Sequence, residues 1–333
     1  MLEFIIMRLL RMVPQLFIIS IIAFVVIQLP PGDYLEQHLN RLRESGRTID
    51  EVEIRRWEET YGLDKPMYVQ YLKWIGNIIT KFDFGYTFQW NKPVNEVIAS
   101  RMWLTFVIAL GSAIFTWVVA IPIGIYVAVK QYSIADYLFT FLGFIGLAVP
   151  GFLLAMVIMY FAFTKFGIRV GGLFSPEYQL EPWSWEKFVD LLQHVWVPIL
   201  LLGIGGTAGM IRTMRATMLD ELRKQYVTVA RSKGLSEYQM LMRYPVRLAI
   251  NPIISGAMWL IPYLFSGGII VEIVLNLPTA GPAMYRSLMG QDMYLAGSYI
   301  LIIGALTSVG ALISDIVLAV VDPRIRFGSV EAS

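Results

Sequence analysis

The stretch Thr213-Met-Arg-Ala-Thr-Met-Leu-Asp220-Glu-Leu-Arg-Lys-Gln-Tyr-Val-Thr-Val-Ala230-Arg-Ser-Lys-Gly234-Leu-Ser-Glu-Tyr-Gln-Met240-Leu-Met-Arg-Tyr-Pro-Val-Arg247 decides how the chain is organised. It is the only long polar stretch with a marked basic excess, setting Arg215, Arg223, Lys224, Arg231, Lys233, Arg243 and Arg247 against Asp220, Glu221 and Glu237. Apolar segments long enough to span a bilayer flank it, His194–Ile211 before and Leu248–Val271 after. Within it, good helix formers surround Gly234, which can end one helix, and Ser236 can cap the next with Glu237 in its first turn. The spacing predicts two short helices. The second is amphipathic, with Tyr238, Leu241 and Met242 on one face and Glu237 and Arg243 elsewhere, a shape suited to docking into a groove on a soluble partner. A basic cytoplasmic loop that only orients the protein is the plainer reading of the same residues.

Working outward, 56% of the residues are apolar and 16% charged, with a mean hydropathy of +0.60, which places the chain among polytopic all-α membrane proteins. The net charge of +2 gives no whole-protein attraction to nucleic acid, so the basic residues matter by position. With no cysteine there is no disulfide, thiolate metal site or thiol nucleophile, and the redox compartment cannot be read. His38 and His194 stand far apart without a second ligand at metal spacing, so no metal site is expected.

In chain order, Arg8 and Arg11 precede an uncharged run from Met12 to Leu29, read as a retained first span. A cleaved signal peptide is the weaker alternative, because the run is longer than a signal core and no small-x-small cleavage site follows before Pro30-Pro31-Gly32. Residues 30–101 are too polar for the bilayer and form an outer segment. In it, Ile49, Val52 and Ile54 to Trp57 suggest one amphipathic helix, and Tyr68, Tyr71, Leu72, Ile75, Ile78 and Ile79 a second. Residues 102–333 hold the remaining spans. Met102–Val129 is the second span, kinked by Pro122 and Gly124, and Tyr137–Thr164 the third, with Pro150-Gly151 near its centre. A break there survives only where protein or a water-lined cavity satisfies the freed backbone. Pro150 and Gly151 are therefore candidates for a pathway-facing kink or a merely packed one. Trp183, Trp185 and Trp196 read as interfacial anchors, with sugar stacking as the alternative. The fourth span is glycine-rich at Gly203, Gly205, Gly206 and Gly209, which lets another helix approach. The fifth carries Pro252 and Pro262. Glu272 then opens a polar connection through Pro278, Gly281 and Pro282 to Asp292, read as a non-helical outer gate or a plain external turn. Met293–Ser314 is the sixth span. Arg8, Arg11, Lys130, the basic loop, Arg324 and Arg326 fall on one side, which puts both termini in the cytoplasm.

A membrane protein that moves solute needs an energy source. The centres of these spans hold no ionisable side chain, against an ion-coupled carrier. There is no Gly-x-x-x-x-Gly-Lys-Ser/Thr phosphate loop, so the chain is not itself a nucleotide-binding subunit. No buried Ser/Lys dyad or His-Glu-x-x-His site argues for a membrane-embedded enzyme. That leaves an outside engine with the basic loop as its socket, or a channel with no engine.

Ala230-Arg231-Ser-Lys233-Gly234-Leu235 resembles the cytoplasmic coupling loop of ABC-importer permeases, in the form found in the peptide and nickel branch. Thr228 and Val229 stand where the general pattern has Glu and Ala, and Pro245 implies that the helix after the coupling helix starts later. Tyr61-Gly-Leu-Asp-Lys-Pro66, Gln70-Tyr-Leu, Gly85-Tyr-Thr-Phe, Pro93-Val, Arg101 with Thr105, the Glu272, Pro278, Gly281, Asp292 frame and Asp322-Pro-Arg-Ile-Arg326 match the same branch. Thr279-Ala280 is inserted between its Pro and Gly. The chain is thus similar to the B-type permease of the dipeptide, oligopeptide and nickel group, whose members include oligosaccharide importers. The resemblance implies six membrane helices in a prokaryotic inner membrane, and a coupling loop over 213–247 in which Ala230, Arg231, Lys233, Gly234, Leu235, Glu237 and Arg243 serve the ATPase. It further implies a homologous second permease, two ATPase subunits carrying ATP and Mg²⁺, and an external solute-binding protein. This chain itself would bind no cofactor and pass oligopeptides or oligosaccharides by alternating access.

Overall fold

The computed structural model describes residues 2–28, 65–87, 89–167, 170–179, 181–256, 268–290 and 292–321. The expected helix around Ile49–Trp57, His38, the middle of the fifth span with Pro262, and the Asp322–Arg326 tail lie outside the described residues. Two compact units make up the chain, Met1–Thr105 with Thr279–Leu312 and Phe106–Pro278 with Ile313–Ser333.

The first unit opens with α1 (Leu2–Gln28) and α2 (Met67–Lys81), which forms a helix where expected. Of its predicted apolar stripe, Tyr71 packs on α1 while Tyr68, Leu72 and Ile79 stay exposed, and the buried residue of α2 is Trp74. Ser20 of α1 shares a 2.7 Å hydrogen bond with the Tyr71 hydroxyl, and Phe24 meets Tyr71 edge to face and Trp74 at a tilt, with ring centroids 5.5 and 5.8 Å apart. A small hairpin follows, β1 (Tyr86–Thr87) paired antiparallel to β2 (Lys92–Pro93). It leads into α3 (Val94–Val129), the first part of which belongs to this unit. Gly85 sits at φ +101°, where a Cβ would come within 2.9 Å of the Tyr294 ring, so both the backbone and the space call for glycine. Later in the chain come α12 (Ala280–Met289) and α13 (Met293–Val321). Gly304 of α13 takes Ile19 of α1 so closely that a Cβ would stand 2.8 Å from it, the small-residue contact by which membrane helices approach.

The second unit holds α4 (Ile134–Ala148), α5 (Gly151–Phe166), α6 (Trp185–Leu222), α7 (Gln225–Ser232), α8 (Glu237–Arg243), α9 (Pro245–Ala249), α10 (Asn251–Gly256) and α11 (Ile269–Val274). The third span is not a kinked continuous helix: α4 and α5 meet at 98° across Val149 and Pro150. Val149 is forced out of the helical region by the proline that follows it, at φ −88° and ψ 119°, and Pro150 has no N–H to continue the ladder. Neither half reaches the ~20 residues that span a bilayer unaided. The fourth span is longer than expected. At 38 residues, α6 is about 57 Å long and runs on through the start of the basic stretch, because nothing from Thr213 to Leu222 breaks a helix. Of its four glycines, two admit a neighbour: a Cβ at Gly203 would meet the Phe115 ring at 2.5 Å, and one at Gly206 would touch Thr116. Gly205 and Gly209 lie on another face of the helix, where none of the described residues comes within reach of a Cβ. Thr116 donates to the Gly203 carbonyl at 2.9 Å, stitching α3 to α6. At Pro122 α3 continues as a single element, and Gly124 gives room to Met214. Among the described residues four helices are long and apolar enough to cross a membrane, or five if α4 and α5 count as one span.

Candidate functional site: a fastened helix pair in the basic stretch

After Leu222 the chain turns through Arg223 and Lys224 into α7, and a polar knot holds this turn. Lys224 Nζ donates to Glu221 Oε1 at 2.6 Å and the Tyr226 hydroxyl donates to Glu221 Oε2. Burial, then that bond to the carboxylate, pushes the Tyr226 hydroxyl above the ordinary phenol range, so it remains a donor. Val227 and Ala230 turn inward from α7 and meet Met240 of α8, all buried, with Leu235 and Leu241 packed around them. Gly234 joins the two helices at φ +77°, its N–H returned to the Arg231 carbonyl at 2.9 Å. Among the described residues no atom crowds its missing Cβ, so the demand for glycine there is one of backbone angle. Ser236 caps α8 as predicted, its Oγ accepting from the Gln239 N–H. Across the joint Arg231 clamps Glu237 with a two-pronged ion pair, Nε to Oε1 at 2.9 Å and Nη2 to Oε2 at 3.2 Å.

The structure therefore brings Ala230, Arg231, Lys233, Gly234, Leu235, Glu237 and Arg243 into one small helix pair, in different roles. Ala230 and Leu235 shape it from within, Arg231 and Glu237 pair across the joint on its exposed side, and Lys233 and Arg243 are exposed. The exposed apolar face of α8 is Tyr238 and Met242, 73% and 47% exposed at i, i+4 spacing. Leu241 is not part of it. It turns toward the packed interior, because Met240 and Leu241 together face the elements that α8 rests on. Nor does the next helix start late: α9 begins at Pro245 itself, which fits the first helical position where no N–H is needed.

Sequence reasoning missed what anchors this pair. Val246 and Ala249 of α9 bury themselves against Met214 and Met218 of α6, and Thr217 donates to the Ala249 carbonyl at 2.9 Å. One turn away, Arg215 makes a two-pronged bond to Asp136 of α4, with both distances 2.7 Å. Asp136 is 2% exposed and also accepts from the Tyr132 N–H, while Ser133 caps its helix. Ser133-x-x-Asp136 is a capping-box spacing legible in the sequence. Its long-range partner Arg215 left no local signal. A continuous path of packed and bonded contacts thus runs from α8 through α9 and α6 to α4.

The expected gate residues do not form a non-helical path. Glu272 lies in α11 and is 3% exposed, and Pro278 is half-buried in the second unit. In the first unit, Gly281 and Pro282 occupy the opening turn of α12. Proline is tolerated there because the first N–H groups of a helix have no partner within it. Ala280 donates its N–H to Thr105 Oγ1 at 2.8 Å, which fixes the entry of α12. Asp292 is fully buried, accepting from the Thr87 hydroxyl and the N–H groups of Gln89 and Leu295 just before α13. A plain external turn with carboxylates kept for solubility does not fit this burial. Pro150 and Gly151 stand at the right-angle break, with Val271 at contact distance from where a Gly151 Cβ would be. Trp183, Trp185 and Trp196 are exposed, and the Nδ1 of His194 lies 2.7 Å from the Asp190 carbonyl.

Residues 120–327 match the family described as binding-protein-dependent transport system inner membrane component, and residues 1–109 match that family's N-terminal segment. Similar proteins include the oligopeptide transport system permease protein AppB of Bacillus subtilis, 33% identical over 98% of this chain and 100% of its own. The glutathione transport system permease protein GsiC of Escherichia coli is 30% identical over 98% and 100%. The peptidoglycan transport system permease protein YejB of Agrobacterium fabrum is 29% identical over 97% and 98%. With a family match over more than half its length and such relatives over nearly all of it, the chain belongs to the inner-membrane components of binding-protein-dependent transport systems, in the peptide and oligopeptide permease group of the ABC importers.

Proposed function

We propose that this chain is one of two homologous permease subunits forming the solute pathway of an ATP-driven peptide importer. A binding protein delivers solute outside, two ATPase subunits work inside, and six spans place both termini in the cytoplasm. The observation that carries this reading is the helix pair α7–α8. Its inner side is pinned to α6 through α9, while Tyr238 and Met242 stand outward, 73% and 47% exposed. An exposed amphipathic helix on a rigid mount is the form a groove-binding partner takes hold of. In this reading ATP closes the ATPase pair, their grooves draw α8 inward, and α9, α6 and α4 follow as a packed unit so that the pathway reopens outward. Hydrolysis reverses the motion. ATP and Mg²⁺ stay on the ATPase subunits. Peptides are the solute class favoured by relatives named for oligopeptide and glutathione transport.

Gly234 gives the test. An L-residue at its positive φ costs about 1–2 kcal/mol, and a β-branched one is worse placed still. Gly234→Val is expected to abolish solute-stimulated ATP hydrolysis in the assembled importer while the subunit still inserts. Gly234→Asn, which tolerates this conformation, is expected to keep most of it. Unchanged stimulation in Gly234→Val complexes would contradict the assignment.

A further inference from the structure

Arg101 lies in α3, within the unit formed by Met1–Thr105 and Thr279–Leu312. A guanidinium keeps its charge at any physiological pH and offers only donors, so a largely enclosed one calls for an acceptor. Among the described residues the Arg101 side chain has neither a hydrogen bond nor a carboxylate partner. Its Cζ rests 4.3 Å from the centroid of the Trp90 ring, which supports the cation from one face and leaves the in-plane N–H fork open. Two further donors are buried without a partner, the Trp90 indole N–H and the Tyr299 hydroxyl. Tyr299 is fully buried and within electrostatic reach of Arg101, as is the exposed Arg286 of α12. Asp292, a buried carboxylate of this unit, accepts from the Thr87 hydroxyl and the N–H groups of Gln89 and Leu295. Among the described residues, a cation without a carboxylate, two donors without an acceptor and a second positive charge form a set of groups suited to one anion.

We propose that this constellation receives the free C-terminal carboxylate of a peptide solute. Arg101 forms the ion pair, the Tyr299 hydroxyl and Trp90 N–H donate to the remaining lone pairs, and Arg286 strengthens the field at the approach. The Tyr299 hydroxyl and Trp90 N–H are buried, which suits a slender chain terminus better than the flank of a protein partner. The assignment rests on the peptide-importer reading above and adds to it a preference for solutes with an unblocked carboxyl end.

The test is arginine modification by p-hydroxyphenylglyoxal in the purified importer complex, read at Arg101 by mass spectrometry. Trialanine as the free acid and as the C-terminal amide are the probes, and exposed Arg212 is the internal control. The free acid is expected to slow modification of Arg101 at least fivefold and the amide to leave it unchanged, with Tyr299→Phe weakening the protection and Arg212 unaffected throughout. Equal protection by acid and amide, or none by either, would overturn the proposal. So would an Arg101 that is shielded without peptide and becomes reactive when another protein subunit is stripped away, for then the anion belongs to a protein partner. Uptake of labelled trialanine into proteoliposomes tests the transport reading separately. Protection without uptake keeps the carboxylate site and removes the peptide-import assignment, and uptake without protection does the reverse.

Discussion

Asp136 and Arg215 show how much one long-range pair can carry. Both Asp136 oxygens are engaged by the Arg215 fork, and the aspartate is nearly sealed from solvent while the arginine side chain keeps 27% exposure. Removing one partner of such a pair leaves the other charge poorly solvated, a loss of roughly 3–5 kcal/mol when both are buried. The partial exposure of Arg215 brings the expectation for Asp136→Asn down to about 2–3 kcal/mol. Thermal unfolding of the purified subunit should fall by several degrees, and Asp136→Asn with Arg215→Gln should recover part of the loss. A single mutant as stable as the parent would show that the pair contributes nothing. Gly234 is the contrasting residue, legible from sequence because a backbone angle is a local property. Asp136 was half legible, as the partner of Ser133 in a cap, but no local rule reaches from residue 136 to residue 215.

At the level of elements, what the sequence conveyed well was what neighbouring residues determine: the α7–α8 pair, the Ser236 cap and the helical course of α2, though not which of its faces is buried. It conveyed poorly where helices continue or turn. Polarity suggested that α6 stops near Ile211, yet its backbone ladder has no reason to end before Leu222. Pro150 suggested a kink, but the preceding Val149 makes it a full break. Gly281 and Pro282 suggested a non-helical path, yet both fit a first helical turn. This last correction sharpens the gate proposal. Thr279 is fully buried at the junction before α12, so a single cysteine there is expected to react slowly with an aqueous thiol reagent in this conformation. Its rate should rise at least tenfold when the complete complex is trapped with ATP and the outer side opens. Equal rates in both states would reject a gate at this junction.

In the proposed function the molecule as a whole transmits force. α8 presents Tyr238 and Met242, the α7–α8 core and α9 hold it to α6, and Asp136 ties α6 to α4. Coupling carried this way requires that the ATPase actually grip α8, since a partner shifts a conformational equilibrium only through contacts that differ between the two states. The chain has no cysteine, so single cysteines at Tyr238 and Met242 can be cross-linked to the ATPase subunit in the assembled importer with a short bis-maleimide. The account predicts a permease–ATPase adduct from both positions, changing in yield with nucleotide. Arg212 replaced by cysteine on exposed α6 should give none. ATPase that co-purifies yet forms no adduct at either α8 position, while cross-linking elsewhere on the chain, would contradict it.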